Sequence, residues 1–574
     1  MLNIKNGLIF ALFFFSASFY FAQDDTTRLD RILVLKSRES FLGQYSLTGN
    51  TLDSLPFHSA VEALSVSFLN LQARSPANSI QDDFTMRGSN FQGVRILLDG
   101  QRVNDPQTGH HNADIPLTKE DVEIIEVLCG ISPARIGPDA IGGTVNFVTK
   151  RPKERSFVLE LSGGQHQSLG QLLSISDKIN DLGVRFSAEN RESGGFYYDT
   201  EFKKFTASLA SSLDLPLGSL NLDYGYQNKE FGAYDFYTPR KGYPSKEWTE
   251  THLINSGLKL KKDGFNIEPS FLWRRHFDKF MLDKTGARSN YLAHHRTDIY
   301  NPSFYLSKDG TPLGKLGLGV EYSQEKIVST TLGKHSRDRE SIFFDNAYSF
   351  TKRLSLDSSL RVDDYNSLDI PVTGGVRLAY QFLENNIAHF GASRAMRIPS
   401  FTELYYNDPT TIGNARLAPE KSLTYEIGHN LKNGRFSLSS VFFLRQENNF
   451  IDWVKSSPAQ TKWEAQNIAS SRVLGLEEGF EYQLSEQVKL NANYAYTDRH
   501  QDDNGYIYKY GENYARHLAS VISFFKFGFG TQEAGITYKK CPARDGWLLM
   551  HAKLSLELNK NSTFFLSATN IFNV

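Results

Sequence analysis

The sequence predicts an all-β chain: a transmembrane antiparallel β-barrel of about 22 strands, with an N-terminal globular plug domain in its lumen. Three observations carry that prediction. From about residue 155 onward, short segments alternate strictly between apolar and polar residues, the period of a strand with two unlike faces. Leu220, Leu222, Tyr224 and Tyr226 alternate with Asn221, Asp223, Gly225 and Gln227, and Leu490, Ala492, Tyr494 and Tyr496 with Asn491, Asn493 and Ala495. The second observation is length: roughly 420 residues at about 20 per strand with its turn or loop give on the order of 21 strands. The third is that a barrel so wide would leak if empty, and the segment before residue 155 is available to fill it.

The apolar face is aromatic at its ends, as in Tyr224 and Tyr226 and in Tyr494 and Tyr496. A soluble sandwich would bury Val, Ile and Leu in a shared core, whereas an aromatic-edged outer face with a polar inner one suits lipid outside. The chain holds 42 Phe and 27 Tyr, and its mean hydropathy is −0.39. Beyond the N-terminus no stretch approaches the roughly 20 apolar residues of a spanning helix. A net charge of −1 gives no global field toward nucleic acid. Two cysteines, Cys129 and Cys541, supply neither a zinc spacing nor a disulfide framework. Loops differ in length, from Lys432-Asn433-Gly434 to the polar stretch "YDFYTPRKGYPSKEWTETH" at Tyr234 to His252, as in barrels with long loops at one end.

Residues 1–22 read as a signal peptide: Lys5 precedes the apolar run Leu8 to Phe21, which ends at Ala22-Gln23. The remaining boundaries are 23–40 for an extended lead segment, 41–152 for the plug and 153–574 for the barrel. In "GPDAIGGTVNFVTKRP", Gly137, Gly142 and Gly143 approach the phosphate-loop spacing, but Gly143 stands where Lys is required. Thr144 to Thr149 then alternate as a strand, so the glycines form a tight turn into a sheet. No G-x-S-x-G, H-E-x-x-H or phosphate loop appears in context, and Glu477 and Glu478 point to opposite strand faces. The chain is not expected to be an enzyme or to need a cofactor.

The series "LDRILVL", "DDFTMRGSNFQGVRILLDGQRVND", "DIPLTKEDVEIIEVLCG" and "GPDAIGGTVNFVTKRP" resembles the plug of TonB-dependent outer-membrane receptors. "SRAMRIPSFTELYYNDPTTIGNARLAPEKSLTYEIG" resembles that family's barrel signature, and "NIFN" its penultimate strand. Within the family, "DPQTGHHNADIP", "FYTPRKGYPSKEWTETH" and "HHRTDIY" are similar to the BtuB-like cobalamin receptors of Bacteroidetes-type bacteria.

The resemblance implies active transport of a large, scarce solute across the outer membrane, a corrinoid before a ferric siderophore or haem. Asp30, Arg31, Ile32, Leu33, Val34 and Leu35 would be the TonB box, an extended segment able to add to another protein's sheet edge. The implied partners are TonB with its inner-membrane energising complex, outer-membrane lipid, the barrel-assembly machinery and a small-molecule ligand. Nucleic acid is not among them, and the receptor is expected to be a monomer. Arg87 in "MRGSN" would face acidic residues on the inner wall, with Glu426 and Glu477 as candidates; a buried guanidinium must be paired. Cys129 in "LCGI" replaces the family's usual second Arg, so this charge cluster is expected to be thin. Ligand contacts are expected from Asn90, Phe91 and Gln92 and from Gln107, His110, His111 and Asn112. The two adjacent histidines read as solvated loop residues, as polar ligand contacts or as haem or metal ligands; their side chains diverge, and no metal set is assigned. A passive porin or surface adhesin is the reading from another class, and neither needs a plug. The chain stops at Val574 directly after "NIFN", without the family's final strand. The natural protein is therefore expected to be longer, or closure of the barrel imperfect.

Overall fold

A computed structural model describes residues 14–22, 44–66, 70–73, 80–130, 134–237, 241–365, 371–408, 410–501, 505–511, 513–542 and 544–571. Asp30 to Leu35 lie outside them. Among the described residues a ring of twenty-four strands closes on itself, two of them only two residues long. Consecutive long strands pair antiparallel from Ser156–Gly164 round to Ser562–Ala568.

Alternation sets the two faces. In Gly218–Gly232, Leu220 and Leu222 point outward and are exposed, while Asn221, Asp223 and Gln227 point inward and are buried. The apolar face thus lies outside and the polar face inside, the arrangement that lipid demands. Strands run well past the bilayer: Leu292–Thr311 has 20 residues and Trp463–Gln483 has 21. The stretch read as one long loop from Tyr234 to His252 is loop only to residue 245, because Lys246–Lys262 already pairs with Gly218–Gly232. Its Lys, Glu and Thr residues had hidden a strand that stands beyond the apolar band.

Phe14–Ala22, the apolar run assigned to a leader, pairs antiparallel with Ser156–Gly164 on one side and Ser562–Ala568 on the other. It occupies the slot between the ring's first and last strands, where imperfect closure was expected. The physical reason is plain: two strand edges would otherwise leave their N–H and C=O groups unpaired in hydrocarbon.

The plug fills the lumen with a five-stranded sheet in the order Gln44–Thr48, Val122–Cys129, Gly143–Thr149, Val94–Leu98, Gln101–Arg102. Asn70–Ala73 and Asp82–Thr85 form a separate pair. Gly143–Thr149 and Val94–Leu98 run parallel and are buried throughout, which their Val, Ile, Leu and Phe residues permit. Their core joins Leu47, Phe84, Ile96, Val127 and Phe147 and reaches the wall at Leu253, Leu272 and Ile299.

The glycine run opens this central strand. Gly143 has φ +148°, and a Cβ there would lie 2.5 Å from Leu128 O. At Gly142 a Cβ would lie 2.6 Å from Met86 O. The backbone approaches too closely for any side chain, which is the turn the spacing predicts. Gly142→Ala and Gly143→Ala are each expected to destabilise the plug by on the order of 1–3 kcal/mol while leaving the barrel closed. Limited proteolysis of the detergent-purified protein checks this: plug cleavage should quicken while barrel peptides persist.

Candidate functional site

The plug is held to the wall by buried ion pairs. Arg87 Nε and Nη2 donate to Glu477 Oε1 and Oε2 at 2.9 and 2.7 Å, and Nη1 donates to Glu426 Oε2 at 3.1 Å. Its guanidinium also lies 4.3 Å from the centre of the Phe443 ring. Burial alone would pull the Arg87 pKa down, but Glu477 and then Glu426 hold it above the ordinary arginine value. Arg87 and Gly88 both have positive φ, +49° and +71°, a costly conformation for arginine. The wall fixes it: Arg445 Nη2 donates to Arg87 O at 2.7 Å, and Arg499 Nη1 to Gly88 O at 2.8 Å.

Cys129 is buried, and desolvation followed by the Glu477 charge pushes its thiol pKa well above the ordinary range. It adds no charge to the cluster. Gly130 beside it has φ +79°, and a Cβ there would collide with both Glu426 Oε2 and Arg87 Nη1. Glycine is what lets this turn pass over the ion pair.

Further buried ion pairs lie within the plug, within the wall and between them. Arg102 pairs with Glu325 and with Asp139 (2.8 Å), and Arg95 approaches Asp139 at 3.4 Å. Glu321 accepts from both Arg339 and Arg361. Arg445 and Arg499 share Glu447. These wall residues sit at inward-facing alternate positions, and that alternation was the signal by which sequence reading could have found them.

The expected ligand residues gather at the end of the lumen where long connections lie. Here the wall folds inward as the short helix Phe401–Tyr405, capped by reciprocal hydrogen bonds between Ser400 and Glu403. Its start is sewn to the plug, with Phe401 N donating to Pro106 O at 2.9 Å and Thr402 N to Gln107 O at 3.1 Å. Arg397 bridges Glu403 and Glu420 below it. Phe91 stacks on His110 at 4.2 Å, and Tyr510 meets Phe91 edge-on at 5.2 Å. Tyr237 stands 5.7 Å from His110, and the Tyr291 and Tyr406 hydroxyls are 2.9 Å apart. The result is an aromatic cluster with hydroxyl and amide groups between the rings, in which Phe91 and His110 are buried and the four tyrosines half-buried.

The seven expected residues divide. Asn90 and Gln92 are partly exposed beside Phe91, with Gln92 Nε2 donating to Ser400 Oγ at 3.3 Å. Gln107, His111 and Asn112 lie deeper. Gln107 Nε2 donates to Asp278 Oδ2 at 2.9 Å, and Asn112 Oδ1 accepts from Asp105 N at 2.9 Å. Both histidines are buried, at 8% and 3% exposure, so they are not solvated loop residues. The turn Gly109–His111 is pressed between plug and wall, and His110 Nδ1 lies 2.7 Å from Asp83 Oδ1.

Arg87→Ala would strand Glu477 without its cation and leave Glu426 with only Arg377, 4.0 Å away, at a cost of about 3–5 kcal/mol. Arg87→Lys keeps the charge but loses the bidentate geometry, so its loss should be smaller. Denaturant titration of plug-specific fluorescence labels in the two variants checks the order; equal loss would remove the bidentate pair as the cause.

Residues 36–144 match the family model for the TonB-dependent receptor plug domain, and residues 158–571 that for the TonB-dependent receptor-like β-barrel. Among curated proteins, the vitamin B12 transporter BtuB of Photobacterium profundum is 22% identical over 410 residues, covering 68% of this chain and 65% of that protein. BtuB of Vibrio vulnificus strain YJ016 is 24% identical over 476 residues, 77% of this chain and 73% of that one. The chain thus spans just under two thirds of the Photobacterium relative. The fold is that of the siderophore receptor PirA of Pseudomonas aeruginosa, with TM-score 0.72 at 14% identity over 93% of this chain and 99% of that one. It is equally that of the ferric enterobactin receptor PfeA of the same organism, with TM-score 0.74 at 16% identity over 92% of each chain. With a plug model and a barrel model matched in tandem along the chain, this protein belongs to the TonB-dependent receptor family.

Proposed function

We propose that the chain is an energised outer-membrane transporter that takes up a large, scarce solute, a corrinoid first. The observation that carries this reading is the plug itself: it fills the lumen and is tied to the wall by buried ion pairs. A solute passes only if the plug shifts, and breaking such pairs costs several kcal/mol apiece. That work would come through TonB, recruited by Asp30 to Leu35 as an added strand. A passive porin or an adhesin has no use for this obstruction. Export would begin with the leader at residues 1–22; because its stretch Phe14–Ala22 fills the closing slot of the ring in this structure, the mature barrel, in the outer membrane as a monomer, would need another strand there once the leader is removed.

The corrinoid reading is supported by the curated relatives named as vitamin B12 transporters and by the aromatic, amide-rich plug surface. Asn90, Phe91, Gln92 and Gln107 to Asn112 include no Arg or Lys, which fits a weakly charged ligand better than a highly anionic ferric chelate. In this assignment Phe91, Gln92, Asn90 and His110 touch the ligand, and Gln107, His111 and Asn112 support them from beneath.

Two measurements test the proposal. Leu33→Pro removes an N–H needed for strand addition, so uptake should fall to the passive background while ligand binding and membrane insertion persist. Uptake at the unaltered rate would sink the TonB-box assignment. Binding of cobalamin, haem and a panel of ferric siderophores to the purified protein tests the ligand. Cobalamin is expected to bind, and Phe91→Ala/Gln92→Ala to weaken it by about tenfold or more, the loss of about 1.4 kcal/mol. Tight siderophore or haem binding with none for cobalamin would reverse the ligand assignment and leave the transporter assignment standing.

A further inference from the structure

Beneath the ligand surface the plug and wall share a buried cluster that none of the ion-pair anchors uses. His111 and Asp114 belong to the plug, one turn apart, and His276 projects inward from the wall strand Phe265–Met281. All three are at most 3% exposed. His111 Nδ1 lies 3.5 Å from Asp114 Oδ2, which lies 3.9 Å from His276 Nε2. The two rings are 4.5 Å apart. These three donor atoms lie within 4.8 Å of one another. For metal–ligand bonds of about 2.0–2.1 Å, tetrahedral donors stand about 3.4 Å apart, and the two pairs through Asp114 Oδ2 are near that spacing.

Three further observations point the same way. Asp114 Oδ2 and His276 Nε2 are fully buried and make no hydrogen bond among the described residues, a costly state for polar atoms unless something else ligates them. Both rings are oriented through their other nitrogens. His276 Nδ1 is 2.8 Å from Thr251 Oγ1, which leaves the Nε2 lone pair free when Nδ1 carries the proton. His111 Nε2 faces Asp278 Oδ2 at 3.5 Å and Glu247 Oε1 at 4.0 Å, the carboxylate support that metal-bound histidines commonly have. Finally, carboxylates crowd the rings. Asp105, Asp114, Glu247 and Asp278 surround the rings, while the cations in contact are Lys229 on Asp114 and Arg274 on Asp105.

We propose that His111, Asp114 and His276 hold one divalent transition-metal ion of the zinc class, which staples the plug to the barrel wall. Two imidazoles and a carboxylate are the donors such ions prefer over calcium or magnesium, which take oxygen. The ion links plug to wall by bonds stronger than the hydrogen bonds nearby. The assignment is independent of which solute the receptor carries.

The test uses the full chain purified in detergent, stripped with EDTA and dialysed against ZnCl2, with CaCl2 in parallel, and bound metal is measured by mass spectrometry. About one zinc per chain should be retained, and no calcium. His276→Gln should reduce zinc at least tenfold at the same free concentration. His295→Gln, which alters a neighbour 4.0 Å from Asp278 and outside the ligand set, should retain it. Heat-modifiable gel mobility establishes that each variant is folded. X-ray absorption at the zinc edge of the unaltered protein gives a readout independent of the variants: two imidazoles should appear in the scattering. Trypsin should cut the plug faster after EDTA than after zinc reloading. No zinc retained by the unaltered protein, zinc kept by folded His276→Gln, zinc lost from His295→Gln alone, a zinc edge without imidazole, or trypsin cleavage indifferent to zinc would each overturn the proposal.

Discussion

In hydrocarbon no water is available to satisfy a free N–H or C=O, so the sheet has to close on itself, and most of this structure follows from that requirement. Closure makes one face of every strand look at lipid and the other at the lumen. The first must be apolar, as Leu220 and Leu222 are; the second is released from that demand and takes Asn221, Asp223 and Gln227. The slot between the strands Ser156–Gly164 and Ser562–Ala568 is filled for the same reason, by Phe14–Ala22. A ring this wide encloses a lumen large enough for a folded domain, and the plug occupies it.

Filling the lumen turns a wet polar face into a buried one. Arg87, Arg102, Glu325, Glu426, Arg445, Glu447 and Glu477 all become almost inaccessible to solvent. Ions can be buried only when paired, which explains why plug and wall meet through guanidinium–carboxylate contacts and donation to backbone carbonyls. The wall goes further and fixes the plug's own conformation: the left-handed backbone at Arg87 is held by Arg445 and Arg499, from strands more than 350 residues away in sequence. The same anchoring positions the aromatic surface of Phe91, His110, Tyr237 and Tyr510 at the end of the lumen where the long connections lie.

An interface built of buried ions is rigid until one member is displaced, and then it is expensive to leave open. Under the proposed function, that asymmetry suits a gate that stays shut against small solutes and opens only under applied work. It also makes the plug sensitive to single substitutions at its charged contacts, whereas outward Leu and Val positions tolerate exchange within the apolar class.

What the sequence by itself determined is local. Period-two alternation identified the strands and assigned each residue to a face, the Gly142-Gly143 pair marked the turn into the central plug strand, and Arg87 could be matched to Glu426 and Glu477 through the family resemblance. Alternation failed where strands outgrow the bilayer, so Lys246 to His252 read as loop, and it gave no reason to pair Phe14–Ala22 with anything. Only the tertiary structure decided which inward residues meet across the lumen. His111 and His276 are far apart in the chain and on different domains, and neither has a sequence neighbour that announces the other. The reason is physical: alternation is a property of one strand's backbone, whereas contacts across the lumen depend on the ring's closure and on how the plug is seated, which no local pattern encodes.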